Sequence, residues 1–141
     1  MEIRACAPAS LDAQVLMAEL SAALTAITGA SGTASFAPDE AGVLFVVARA
    51  DDGALLGCGA VRPLQAGVGE IKRMYARPGT AGVGAALLRH LEAQGYGELW
   101  LETRSVNTRA LAFYRKHGYA VMENYGRYIG RDDAVCLRKV L

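Results

Sequence analysis

Apolar positions recur every three to four residues in some stretches of the chain and form short continuous or alternating runs in others. Residues 11–27 carry Leu16, Leu20, Leu24 and Ile27 at helical spacing, which predicts an amphipathic helix. Ser10 is placed to cap it, and Asp12 sits near its positive end. Residues 43–50 form a continuous apolar run rich in β-branched side chains, the pattern of a buried strand. Asp51-Asp52-Gly53 then reads as a hairpin turn, and residues 55–64 return as the next strand. A first strand is expected over residues 2–7, closed by Pro8. Residues 29–42 are small, polar and rich in Gly and Ser, so they read as a loop or short helix, long enough to serve function.

Further on, residues 70–77 predict a fourth strand with one irregularity. Its apolar residues Ile71 and Met74 are three apart, so alternation slips by one, and a bulge near Lys72–Arg73 accounts for the slip. Gly57 and Gly59 in the preceding strand mark a bend or a close backbone contact. Past Pro78, a stripe of Val83, Leu87, Leu88 and Leu91 predicts a second helix, stopped by Gly95 and Gly97. Residues 99–103 read as a fifth strand, 107–117 as a third helix, 119–122 as a short strand and Ala134–Val140 as a closing strand. The order β-α-β-β-β-α-β-α-β-β, without linker or repeat, specifies a single α/β domain over residues 1–141 with a mixed sheet.

Composition narrows the function classes. A chain of 141 residues with 52% apolar and 21% charged side chains is long and apolar enough for one real core. A net charge of +1 gives no electrostatic pull toward nucleic acid or a membrane surface. No apolar run approaches the ~20 residues of a membrane span, and the N-terminal stretch lacks a signal-peptide layout. Cys6, Cys58 and Cys136 are odd in number and lack C-x-x-C spacing, so they read as small buried side chains rather than a disulfide framework or a metal site. A reduced cytoplasm is the expected compartment.

Candidate chemistry lies in the second half. Gly79-Thr-Ala81-Gly82-Val83-Gly84 leads from a strand into a helix, whose first N–H groups lack intrahelical partners and whose dipole favours an anion. Glycines there let backbone approach a pyrophosphate. The dinucleotide fingerprint G-x-G-x-x-G fails, because Leu87 falls where its third glycine belongs. Downstream, Asn107-x-x-Ala110-x-x-Phe113-Tyr114-x-x-x-Gly118-Tyr119 is an Asn-capped helix with Ala110, Phe113 and Tyr114 on one side. By periodicity alone Tyr114 is equally a core residue with a bonded hydroxyl.

These two segments, within a region from about Val43 to Leu141, resemble the GNAT superfamily of acyl-CoA N-acyltransferases. The resemblance implies a GNAT-like mixed sheet and an N-acetyltransferase that moves an acetyl group from acetyl-CoA to a primary amine by direct attack. It further implies that backbone groups of Met74, Tyr75 and Ala76 hold the thioester arm, that Gly79, Ala81, Gly82, Val83 and Gly84 cradle the pyrophosphate, and that Asn107 contacts the cosubstrate. Tyr114 would protonate the leaving thiolate, and Glu70 matches the strand glutamate that serves some members as general base. Glu102 and Glu123 are other candidate bases, and Glu70 also reads as an exposed residue, solvated or paired with Lys72.

In the family the turn typically opens on Arg or Gln, whereas Gly79 stands there in this chain and Ala81 is also uncharged; Arg77 or Arg89 could compensate. A non-catalytic acyl-CoA-binding sensor or interaction module is the alternative function. The expected partner is an amine acceptor, a small molecule or a protein amine, with no nucleic acid, membrane or metal involved. The resemblance suggests a homodimer. Residues 123–133, polar and aromatic, read either as part of the acceptor pocket or as a solvated loop.

Overall fold

A computed structural model describes residues 1–37 and 39–141. Its elements are β1 (Glu2–Ala5), α1 (Leu11–Thr28), β2 (Leu44–Arg49), β3 (Leu55–Gln65), β4 (Val68–Ala76), α2 (Val83–Glu92), β5 (Glu98–Arg104), α3 (Thr108–Lys116), β6 (Ala120–Met122) and β7 (Ala134–Val140). The expected order of strands and helices is the observed one. Of two single helical turns, Thr33–Ser35 falls in the stretch read as a loop or short helix, whereas Gly126–Tyr128 was not anticipated. Of the loop expected over 29–42, Pro38 lies outside the described residues.

The seven strands form one sheet in the order β1-β2-β3-β4-β5-β7-β6. All neighbours are antiparallel except β4 and β5. Period-two alternation sorts the β2 side chains between two cores. Phe45 and Val47 pack with Ala13 and Leu16 of α1, whereas Val46 and Ala48 pack with Val83, Leu87, Leu88 and Leu91 of α2 and with Tyr114 of α3. Helices therefore cover both faces of the sheet.

Helix α1 is capped as expected, with Ser10 Oγ accepting from the Ala13 N–H at 3.3 Å. Its apolar stripe ends earlier than its periodicity implies: Leu16 and Leu20 are buried, but Ile27 is 48% exposed. With 18 residues and a mean hydropathy of 1.2, α1 does meet the length and composition of a span, against the expectation from the sequence. It nevertheless buries Ala13, Leu16 and Leu20 against the sheet, and its Glu19 pairs with Arg77 beyond β4.

The β4 irregularity is where the periodicity placed it. Cys58 pairs with Tyr75 and Ala60 with Lys72, so Gly59 alone faces Arg73 and Met74. Such a two-against-one step bends the strand, and it returns Ile71 and Met74 to the same core. The glycines opposite are required by contact: a Cβ on Gly59 would lie 2.6 Å from Met74 Sδ, and one on Gly57 2.3 Å from the Tyr75 carbonyl oxygen.

Candidate active site

Strands β4 and β5 pair over only three positions, the last being Glu70 with Trp100. Past Glu70, ahead of the bulge, they part, and their backbone groups no longer satisfy each other. The gap is a cavity of about 160 Å³, floored by Ile71–Met74 of β4 and Leu101–Arg104 of β5. Leu20, Leu24 and Thr28 of α1 wall one side, with Asn107, Ala110 and Tyr114 of α3 opposite.

Four of the candidate site residues read from the sequence meet here: Met74, Glu102, Asn107 and Tyr114. Asn107 caps α3, its Oδ1 accepting from the Ala110 N–H at 3.2 Å. That bond fixes the start of the helix and hence the height at which Tyr114 enters the cavity. Tyr114 is 8% exposed, and burial pushes its phenol pKa up. It stays protonated at neutral pH, and the same low-dielectric surroundings raise the basicity of any thiolate formed beside it.

The glycine turn lies apart from this cavity, at the start of α2. Gly82 caps the helix with φ 74°, a conformation that favours glycine, and a Cβ there would meet nothing within 4 Å. The backbone is thus open to an approaching anion. Gly84 also packs closely, since a Cβ there would sit 3.3 Å from the Phe113 ring of α3. Of the two basic residues considered as compensation for the uncharged turn, Arg77 is already engaged and Arg89 lies about two turns further along the helix. Arg77 donates to both carboxylate oxygens of Glu19, at 3.0 and 2.7 Å, and to the Leu55 carbonyl at 3.0 Å. Arg89 sits in the last turn of α2. Any pyrophosphate grip at this turn therefore comes from backbone N–H groups and the helix dipole. Tyr75 turns its side chain the other way, its hydroxyl donating to Glu19 at 3.1 Å, so only its backbone is available to a thioester arm.

Glu70 is neither exposed nor part of the cavity lining. It is 1% exposed, with Arg62 Nε and Nη2 on Oε1 at 2.9 and 2.8 Å and the Tyr125 hydroxyl on Oε2 at 2.5 Å. The carboxylate that does line the cavity is Glu102. Burial raises its pKa above the ordinary range, the adjoining Arg104 guanidinium opposing that only in part. Lys72 also faces the cavity; its Nζ donates to the Tyr128 hydroxyl at 2.9 Å and lies 3.7 Å from Glu70. Residues 123–133 form a built cover for this polar group. Asn124 Nδ2 is bonded to the carbonyls of Tyr128, Arg131 and Ala134 at 3.1, 3.1 and 3.3 Å. Tyr125 meanwhile stacks on Trp100 at 5.1 Å. Among the described residues no group of three His, Cys, Asp or Glu side chains is placed to hold a metal ion.

A mixed sheet opened between its two parallel strands, with a capped helix presenting a tyrosine to the gap and a glycine-capped helix beside it, is the geometry of a thioester-binding transferase. The model of the acetyltransferase (GNAT) family matches residues 14–119, and the chain belongs to that family of acyl-CoA-dependent acetyltransferases. It is 28% identical to a Klebsiella pneumoniae protein described as an acyl-CoA N-acyltransferase, whose structure superposes with a TM-score of 0.84 over 99% of this chain and 97% of that one. A GNAT acetyltransferase from Elizabethkingia anophelis, solved with acetyl-CoA bound, shares the fold at 18% identity, with a TM-score of 0.71 over 99% of this chain and 97% of that one. An IAA acetyltransferase of Azospirillum brasilense is 38% identical over 93 residues. That similarity spans 61% of this chain and 60% of the relative's length.

Proposed function

We propose that the protein transfers an acetyl group from acetyl-CoA directly to a primary amine, with the chemistry in the gap between β4 and β5. One observation carries this reading: Glu102, Tyr114 and the backbone of the bulge converge on a single cavity, beside an open helix start that suits a pyrophosphate. The amine must be neutral to attack, and at pH 7 well under one in a thousand lysine-like amines is, given a pKa of ~10.4. Glu102 takes the proton, directly or through a water, because it is the carboxylate that faces the acceptor and burial makes it more basic. Backbone N–H groups at the bulge donate to the thioester oxygen and stabilise its developing negative charge. The nitrogen–carbon bond forms, the carbon–sulfur bond breaks, and Tyr114 gives its proton to the departing thiolate.

Glu70 has a different part in this account. With Arg62 and Tyr125 already on its oxygens, it holds Lys72 and the cover in place. The IAA acetyltransferase is acetyl-transferring by name, and the reading agrees with it in reaction class. Isothermal titration with acetyl-CoA, with NAD as control, tests the donor half. Micromolar binding of acetyl-CoA alone is expected; no binding would remove the donor and the proposal with it.

A further inference from the structure

Among the described residues Arg73 is the one non-glycine residue with a positive φ, at 53°. It occupies the bulge, three residues past the last β4–β5 pair at Glu70, so the left-handed conformation falls where β4 has already left β5. A side chain that rarely adopts this conformation persists there only if its surroundings hold it. Those surroundings are specific. Arg73 Nη1 donates to the Ser31 carbonyl at 3.0 Å, and Nη2 donates to the Met17 carbonyl at 3.0 Å and to Ser21 Oγ at 2.6 Å. From behind, Cys58 Sγ donates to the Arg73 carbonyl at 3.3 Å.

Arg73 is 8% exposed, and among the described residues no carboxylate pairs with its guanidinium. Its Nε is buried without a hydrogen-bond partner. Stability alone does not explain a buried cation with no counter-charge and an orphaned donor. What the guanidinium touches is the wall of the cavity: α1 and the segment after it, which contribute Leu20, Leu24, Thr28, Ala30, Gly32 and Ser35. The fit is close, since a Cβ on Gly32 would lie 3.3 Å from Arg73 Nη1 and 3.2 Å from Leu24 Cδ1.

We propose that Arg73 is a positioning residue, whose backbone shapes the bulge on which acetyl-CoA rests and whose guanidinium ties the acceptor wall, residues 17–32, to that bulge. The inference rests on the proposed function in taking the cavity as the acceptor site. It separates two roles of one residue: a donor role in the backbone, which glycine preserves, and an acceptor role in the side chain, which glycine removes.

Arg73→Gly, Arg73→Ala and Arg73→Lys test it, by hydrogen exchange over residues 17–32 and by titration with acetyl-CoA. Arg73→Gly should keep acetyl-CoA affinity within about 3-fold of wild type, because glycine takes the same φ without strain, while amides of residues 17–32 exchange at least about 10-fold faster. Arg73→Ala, strained and untied, should lose both. Arg73→Lys should restore slow exchange in part, its ammonium reaching one of the two α1 oxygens. Turnover is then measured with the amine giving the fastest thiol release in a panel of amino acids, polyamines, aromatic amines and peptides. For Arg73→Gly the acceptor KM should rise about 10-fold with kcat changed less than about 3-fold.

Unchanged exchange over residues 17–32 in Arg73→Gly overturns the proposal. So does a loss of acetyl-CoA binding in that variant equal to the loss in Arg73→Ala. If Arg73→Gly does not fold, Arg73→Lys decides: fast exchange confined to residues 17–32 supports the tie, and wild-type exchange rejects it. Failure of wild-type protein to bind acetyl-CoA would instead remove the proposed function, and the exchange comparison would still decide whether Arg73 holds the wall.

Discussion

Arg62 Nε donates a hydrogen bond to one oxygen of Glu70 at 2.9 Å, and its Nη2 lies 2.8 Å from the same oxygen, inside a site where Glu70 is 1% exposed. On the proposed function a carboxylate so placed serves structure. Glu70→Gln should therefore keep turnover within about 5-fold of wild type, well short of the ~100-fold loss expected on removing a general base. It should destabilise the fold by on the order of 2–3 kcal/mol, because Arg62 and Lys72 lose their buried counter-charge. Thermal unfolding and steady-state rates measured on one preparation check both halves.

Glu102→Gln should show the opposite pattern, with kcat down about 100-fold or more and a melting temperature near wild type. The pH profile adds a sign. Burial raises the Glu102 pKa, so activity, which needs the carboxylate, is lost as pH falls through a value above the ordinary ~4.3. The acid limb of kcat/KM in wild type should lie above that value and disappear in Glu102→Gln. An acid limb unchanged by the substitution would assign it to another group.

Tyr114→Phe removes only a hydroxyl. Desolvation is the one cause of its raised pKa, with no hydrogen bond contributing, so the fold should lose little. Turnover should fall about 10- to 100-fold while the acetyl-CoA Kd stays within about 2-fold, the pattern of a group used in the transition state.

The Glu19–Arg77 pair gives a stability prediction with a pH dependence. The hydrogen bonds from Arg77 hold the Glu19 carboxyl below its ordinary range. A depressed carboxylate contributes stability above its unfolded pKa of ~4.3 and loses it as pH falls through the folded value. Glu19→Gln should melt a few degrees lower at pH 7, roughly 2–4 °C for a pair this exposed, with the difference shrinking only as pH falls below the ordinary carboxylate range and through the depressed folded value. A constant difference across that range would mean the loss comes from packing.

How much of this was legible in the sequence follows from how far apart the interacting residues lie. The bulge announced itself locally, as a slip of alternation between Ile71 and Met74, and the structure has it there. The caps Ser10 and Asn107 were equally local and both make their bonds. The burial of Glu70 was not readable, because its partners are Arg62 on the neighbouring strand and Tyr125, 55 residues away. For the same reason Arg77 appeared free until α1 brought Glu19 against it. That Gly84 leaves room for Phe113 of another helix was equally unreadable, since the two lie far apart in sequence. Arg73 carried no signal beyond its place in the slip, since φ at a single residue leaves no mark on the pattern.

The central claim is amine acetylation in the β4–β5 gap, and thiol release tests it most directly. Wild-type protein is incubated with acetyl-CoA and the same panel of primary amines, and products are weighed by mass spectrometry. The account predicts release of coenzyme A that depends on an amine and matches, one for one, the appearance of that amine's N-acetyl product. Binding of acetyl-CoA with no amine-dependent release from any member of the panel would contradict it, and would leave a protein that holds the donor without transferring it.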